Sequence, residues 1–163
     1  GWRPTATPGV QAPTYPPGLP LLMAIPQAIG GTVAASFVVT ASAGIAIWAT
    51  GAVAAQLAGG VAGVLAAALL ALTPVFLYQF VQPMSDVPVT AAWMVMWRLL
   101  VSGSGRILLA GLSCAVAVLI RPNLAPLAAV PLMVTGFRLR RLVAFSLPVV
   151  IAGLALMWLQ WRW

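Results

Sequence analysis

Lysine and histidine are absent from this 163-residue chain, and its only acidic side chain is Asp86. Charged residues make up 6% of the total, against roughly 25% in a soluble domain. So few charges cannot cover a water-facing surface. Without histidine, and with Cys114 as its one cysteine, the chain lacks the ligands of the usual zinc and haem sites. A lone cysteine also excludes an internal disulfide. Cys114 lies inside an apolar run and reads as a small packing residue. No glycine-rich nucleotide loop is present.

What the chain does have is apolar surface, at 63% of residues and a mean hydropathy of +1.08. In lipid the outside of a protein can be as apolar as its core, and the backbone must satisfy its own hydrogen bonds. Apolar stretches recur along most of the length. The composition therefore predicts an all-α fold, a polytopic transmembrane helix bundle forming one membrane-embedded domain over residues 1–163.

Residues 1–18 are rich in proline and read as an irregular loop outside the hydrocarbon region. Residues 19–29 are apolar but too short to cross, and read as an interfacial or partly re-entrant helix. Pro20 suits its first turn, Pro26 bends it, and Gly30-Gly31 stop it. Transmembrane helices are expected over 34–57, 61–80, 87–101, 107–120, 124–137 and 142–161. Gly44 and Gly51 are small contact positions in the first of them. Gly59-x-x-x-Gly63 matches a helix-packing spacing, which chance explains better in so Gly- and Ala-rich a chain. Residues 107–137 read as two passes; one long helix kinked at Pro122 is the alternative. The first and last residues, Gly1 and Trp163, read as the edges of an internal piece of a larger protein.

The net charge of +7 comes from arginines scattered between apolar runs, with one cluster at Arg138, Arg140 and Arg141. No basic face with interleaved aromatics exists, so nucleic acid is not the expected partner; membrane lipid is. With two passes, Arg98, Arg106 and that cluster fall on one side. The rule that positive loops stay inside makes this side cytoplasmic. Arg3, Arg121, Arg162, Asp86 and the N-terminal loop then face the other way.

Three places carry candidate chemistry. Asp86 follows Ser85 at a helix start before Pro88, where either residue suits a helix cap. The competing reading is a carboxylate lining a polar cavity, ready to bind a hydroxyl, a cationic group or a divalent metal ion. Arg121 runs against the charge trend. It either snorkels to outer headgroups or binds phosphate, for which a guanidinium fork is suited. Asn123 nearby adds a donor. The stretch Tyr15-Pro16-Pro17-Gly18-Leu19-Pro20 is either a stiff loop or a turn that presents Tyr15 to a sugar.

Tyr15-Pro16-Pro17-Gly18-Leu19-Pro20-Leu21-Leu22, two Ala-rich spans, and then Gln82-Pro83-Met84-Ser85-Asp86 resemble the GT-C superfamily of polytopic glycosyltransferases. The branch most alike holds the dolichyl-phosphate-mannose protein mannosyltransferases and the bacterial lipid A aminoarabinose transferases. The run from Ala110 to Arg121-Pro122 looks like one common in bacterial members. The resemblance covers nearly the whole chain and rests on the order of weak motifs. It implies an enzyme of the bacterial inner membrane that takes a sugar from a polyprenyl-phosphate carrier at the non-cytoplasmic face. It implies that Asp86 is a supporting acid or metal-binding residue and that the main catalytic base lies upstream of Gly1, leaving these residues alone inactive. It also implies a basic residue near the donor phosphate at Arg121, beside which Asn123, Tyr15, Ser85 and Gln82 are the other candidate substrate-binding residues. A transporter segment and a non-catalytic membrane subunit are the alternatives that the residues leave open.

Overall fold

The computed structural model describes residues 2–4, 11–13, 16–82, 84–134 and 138–162. Two short strands, β1 (Trp2–Pro4) and β2 (Gln11–Pro13), pair antiparallel with Trp2 opposite Pro13. They qualify the expectation of an irregular N-terminal loop. The rest of the ordered secondary structure is helical.

Helix α1 spans Gly18–Ala58 and has two limbs that meet at Gly30 and Gly31, where the backbone leaves helical geometry. Gly31 has φ of 68°, a left-handed conformation open to glycine without a Cβ penalty. The break falls at this pair and not at Pro26. The first limb places Leu19 against Val89, Ala92, Ala117 and Ile120. The second places Val39, Ala43 and Ala46 in a cluster with Val87 and Ala91. A straight helix would carry Leu19 roughly 30 Å from Val39, so the two limbs fold toward the same end of the next long helix.

Helix α2 (Gly60–Leu72) turns back along the second limb of α1. A Cβ on Gly63 would lie 2.6 Å from the Ala55 Cβ, and one on Gly51 would lie 3.0 Å from the Ala67 Cβ. Small residues four apart on both helices thus let the backbones approach. Gly44, expected at a contact, faces open space. Gly59 sits in the turn at φ of 91° and is no packing residue.

The expected single span over 61–80 is broken. Helix α3 (Pro74–Phe80) is bent 64° from α2. Pro74 has no N–H to continue the helix and drives Thr73 into an extended conformation, with ψ of 120°.

Helix α4 (Asp86–Val101) then runs parallel to the second limb of α1, from Val39 and Val87 at one end to Gln56 and Val101 at the other. Helix α5 (Ile107–Ile120) runs antiparallel to α4, and the Ser113 hydroxyl donates to the Ala92 carbonyl at 2.8 Å. Its helix stops at Arg121, with φ of −139° and ψ of 89°.

Where a transmembrane helix was expected over 124–137, the chain forms a 3-10 segment (Pro122–Ala128) and a short helix α6 (Ala129–Val134). Pro122, Pro126 and Pro131 each remove a donor that a regular α-helix needs. Ala128 packs in one cluster with Ile107, Ala110 and Cys114. A straight continuation of α5 would put it roughly 27 Å from Ala110, so the chain turns back at Arg121 instead of continuing as one kinked helix.

Helix α7 (Leu139–Arg162) packs on α5 so closely that a Cβ on Gly111 would lie 2.4 Å from the Phe145 carbonyl oxygen. Near its end the Arg162 guanidinium lies 5.1 Å over the Trp158 ring.

Among the described residues, α1 and α7 are long and apolar enough to cross a membrane, and α2 with α3 makes a third if the bent pair is one span. Exposed side chains include Ile25, Ile29, Leu57, Leu69, Leu72 and Trp161. Such an apolar exterior suits lipid and not water. The ends of α1 and α4 lie at the same end of the bundle as the starts of α5 and α7, where Arg98, Arg106 and Arg138 to Arg141 are found. There the Arg98 Nη1 donates to the Gln56 side-chain oxygen at 2.9 Å and to the Ser102 hydroxyl. Arg121 lies at the opposite end.

Candidate functional site

The site lies where the start of α1, the start of α4 and the end of α5 converge. Each element reaches this point for a local reason. Pro16 and Pro17 halt regular structure just before α1. Gly18 then lies against the backbone of α5, where a Cβ would stand 2.3 Å from the carbonyl carbon and oxygen of Leu119. Only glycine permits that approach. The turn through Gln82 ends at Met84, whose N–H donates to the Gln82 carbonyl at 2.7 Å, and α4 begins at Asp86. At the end of α5 the residue before Pro122 leaves the helical region, and this residue is Arg121.

Arg121 ties the end of α5 to the start of α4, facing the start of α1 across one pocket. Its Nη1 lies 2.7 Å from the Asp86 Oδ1, and its Nε donates to the Ser85 hydroxyl oxygen at 3.1 Å. The side chains are 36% and 23% exposed for Arg121 and Asp86. The pair therefore stands at a pocket mouth, where partial exposure still screens it. The pocket holds about 400 Å³ and is lined by Pro16, Leu19, Pro20, Met23, Met84 and Ile120, with Ser85, Asp86 and Arg121 as its polar edge. A small polar end on an apolar wall is a layout that suits an amphipathic ligand.

The cap reading of Ser85 and Asp86 is not what the structure shows. Neither side chain bonds a backbone N–H at the start of α4. Both turn to Arg121 instead. Arg121 is likewise committed to an ion pair and does not simply snorkel.

Of the other candidates, Asn123 is exposed on the 3-10 segment and does not line the pocket, and Gln82 contributes its backbone to the turn. Tyr15 lies outside the described residues. Met23 and Ile120 line the pocket without any advance signal, because an isolated apolar residue in an apolar chain stands out from nothing.

The donor set does not fit a metal ion. Asp86 is the only acidic side chain in the chain, and no group of three or more His, Cys, Asp or Glu residues comes together among the described residues. The Asp86 oxygen is, moreover, already paired to a guanidinium.

No family model, curated protein or solved structure matches the chain.

Proposed function

We propose that the chain is the membrane-embedded part of a multi-pass glycosyltransferase of the GT-C type. In this reading it moves a sugar from a polyprenyl-phosphate carrier to an acceptor at the non-cytoplasmic face of a bacterial inner membrane. The observation that carries the reading is convergence. The Pro16 to Met23 stretch, Met84-Ser85-Asp86 and Arg121 come from three separate parts of the chain and line one pocket. Those are the stretches on which the family resemblance rests.

The division of labour follows from the chemistry of each group. Arg121 binds the donor phosphate, because a guanidinium keeps its charge and offers paired donors to phosphate oxygens. As the sugar departs, the same group stabilises the charge left on the phosphate. The wall of Leu19, Met23, Met84 and Ile120 takes the first part of the prenyl chain. Asp86 is a supporting acid that accepts a hydrogen bond from a sugar or acceptor hydroxyl and offsets the charge of Arg121. The arginine-rich end lies in the cytoplasm against anionic headgroups, and the pocket opens on the far side.

Photolabelling tests this assignment. A diazirine-bearing polyprenyl phosphate, incubated with the protein in membranes, is expected to label peptides carrying Leu19 to Met23 and Met84. Excess unlabelled polyprenyl phosphate should suppress that labelling. Labelling confined to α2, or labelling that excess lipid leaves unchanged, contradicts the assignment.

A further inference from the structure

Among the described residues, Arg121 has Asp86 as its anionic partner. Asp86 is the only acidic side chain, and apart from Ser85 the remaining pocket wall is apolar. The two anchors on Arg121 differ in kind. Ser85 is a neutral acceptor held by Nε, whereas Asp86 is a charged acceptor held by Nη1. A phosphate monoester, the form the prenyl carrier takes once its sugar has left, carries more charge than a carboxylate and presents three oxygens. It can take over the Nη edge while the bond from Nε to Ser85 stays in place. The ion pair is accessible from the pocket, and a pair so exposed contributes little on its own.

We propose that the Asp86–Arg121 pair is the resting state of an exchange site. An incoming phosphate displaces Asp86 from Arg121, and the released carboxylate becomes free to accept a hydrogen bond from a hydroxyl. Ser85 is the positioning residue that keeps the guanidinium aimed at the pocket in both states. This inference rests on the reading of Arg121 as the phosphate-binding group.

The exchange has a consequence of unusual sign. If Asp86 competes with the phosphate, removing its charge strengthens phosphate binding. If Asp86 instead holds Arg121 in place or contacts the ligand directly, removing it weakens binding. The test measures the affinity of farnesyl phosphate and of inorganic phosphate for the protein in phosphatidylcholine nanodiscs. Wild type is compared with Asp86→Asn, Ser85→Ala and Arg121→Ala.

The expected result is that Asp86→Asn binds about two- to fivefold tighter, the scale of a partly exposed ion pair. Arg121→Ala loses binding, and Ser85→Ala weakens it. Farnesyl phosphate binding tighter than inorganic phosphate assigns the exchange to a lipid-linked ligand. Equal affinities assign it to a free phosphate. Weaker or unchanged binding by Asp86→Asn, with wild type still binding, overturns the exchange and leaves the donor-phosphate reading standing. No binding of either probe to wild type or to Asp86→Asn overturns both.

A second measurement follows Asp86 directly. In protein labelled with 13C-aspartate, the Asp86 side-chain carboxyl resonance is assigned by its loss in Asp86→Asn. Saturating farnesyl phosphate is expected to shift it. A resonance that does not move while the ligand is bound overturns the exchange.

Discussion

Gly18 lies against Leu119 with no room for a side chain; a Cβ there would stand 2.3 Å from the Leu119 carbonyl. This one contact fixes the start of α1 to the end of α5, two residues before Arg121. It therefore sets one wall of the pocket against its polar edge. Gly18→Ala is expected to push the two elements apart and to cost about 1–3 kcal/mol, the usual range for overpacking. Thermal unfolding in nanodiscs measures this, and an unchanged midpoint contradicts the packing.

The Asp86–Arg121 pair joins α4 to the end of α5. Because both side chains are partly exposed, its expected contribution to stability is about 0.2–1 kcal/mol. A double-mutant cycle of Asp86→Asn with Arg121→Gln, read by thermal unfolding, checks the coupling. A coupling indistinguishable from zero means that the pair does not hold the helices together.

Much of this arrangement was written in local sequence. Gly30-Gly31, Ala58-Gly59-Gly60 and Arg121-Pro122 each interrupt an apolar run with glycine or proline, which helices avoid, and each marks a real break. Ser85 and Asp86 were correctly placed at a helix start, yet the cap expected from their residue types does not form. Their partner is Arg121, distant in sequence, and no local pattern reports such a pairing. Pro74 was visible inside the run 61–80, but one proline does not say whether a helix bends or ends. Gly18 read as part of a stiff turn, and its closeness to Leu119 depends on how α5 packs. Periodicity was of little help, because helices that face lipid outside and protein inside are apolar all round.

The Gly51, Ala55, Gly63 and Ala67 contact predicts a sharp contrast between glycines. Gly63→Leu must part α1 from α2, since even a Cβ would lie 2.6 Å from the Ala55 Cβ. Destabilisation of about 1–3 kcal/mol is expected. Gly44→Ala meets open space and is expected to be neutral or slightly stabilising, because alanine favours the helix. Equal unfolding midpoints for the two variants contradict the packing of this pair.

Cys114 is fully buried beside Met96, Ala110 and Phe145. It is expected to resist a maleimide while the protein is folded and to react once it is unfolded. Mass spectrometry after timed labelling reads both states. Rapid labelling of the folded protein means that α4, α5 and α7 do not close around it.

The central claim is that Asp86 and Arg121 serve sugar transfer from a lipid-linked phosphate donor. Its most direct test follows sugar release from a radiolabelled polyprenyl-phosphate donor, in membranes carrying the intact protein. Wild type is compared with Asp86→Asn and Arg121→Ala at matched expression. The account predicts turnover by wild type and a drop of about tenfold or more in each variant, a barrier change of roughly 1.4 kcal/mol. Turnover that both variants match, or no turnover by wild type across a panel of such donors, contradicts it.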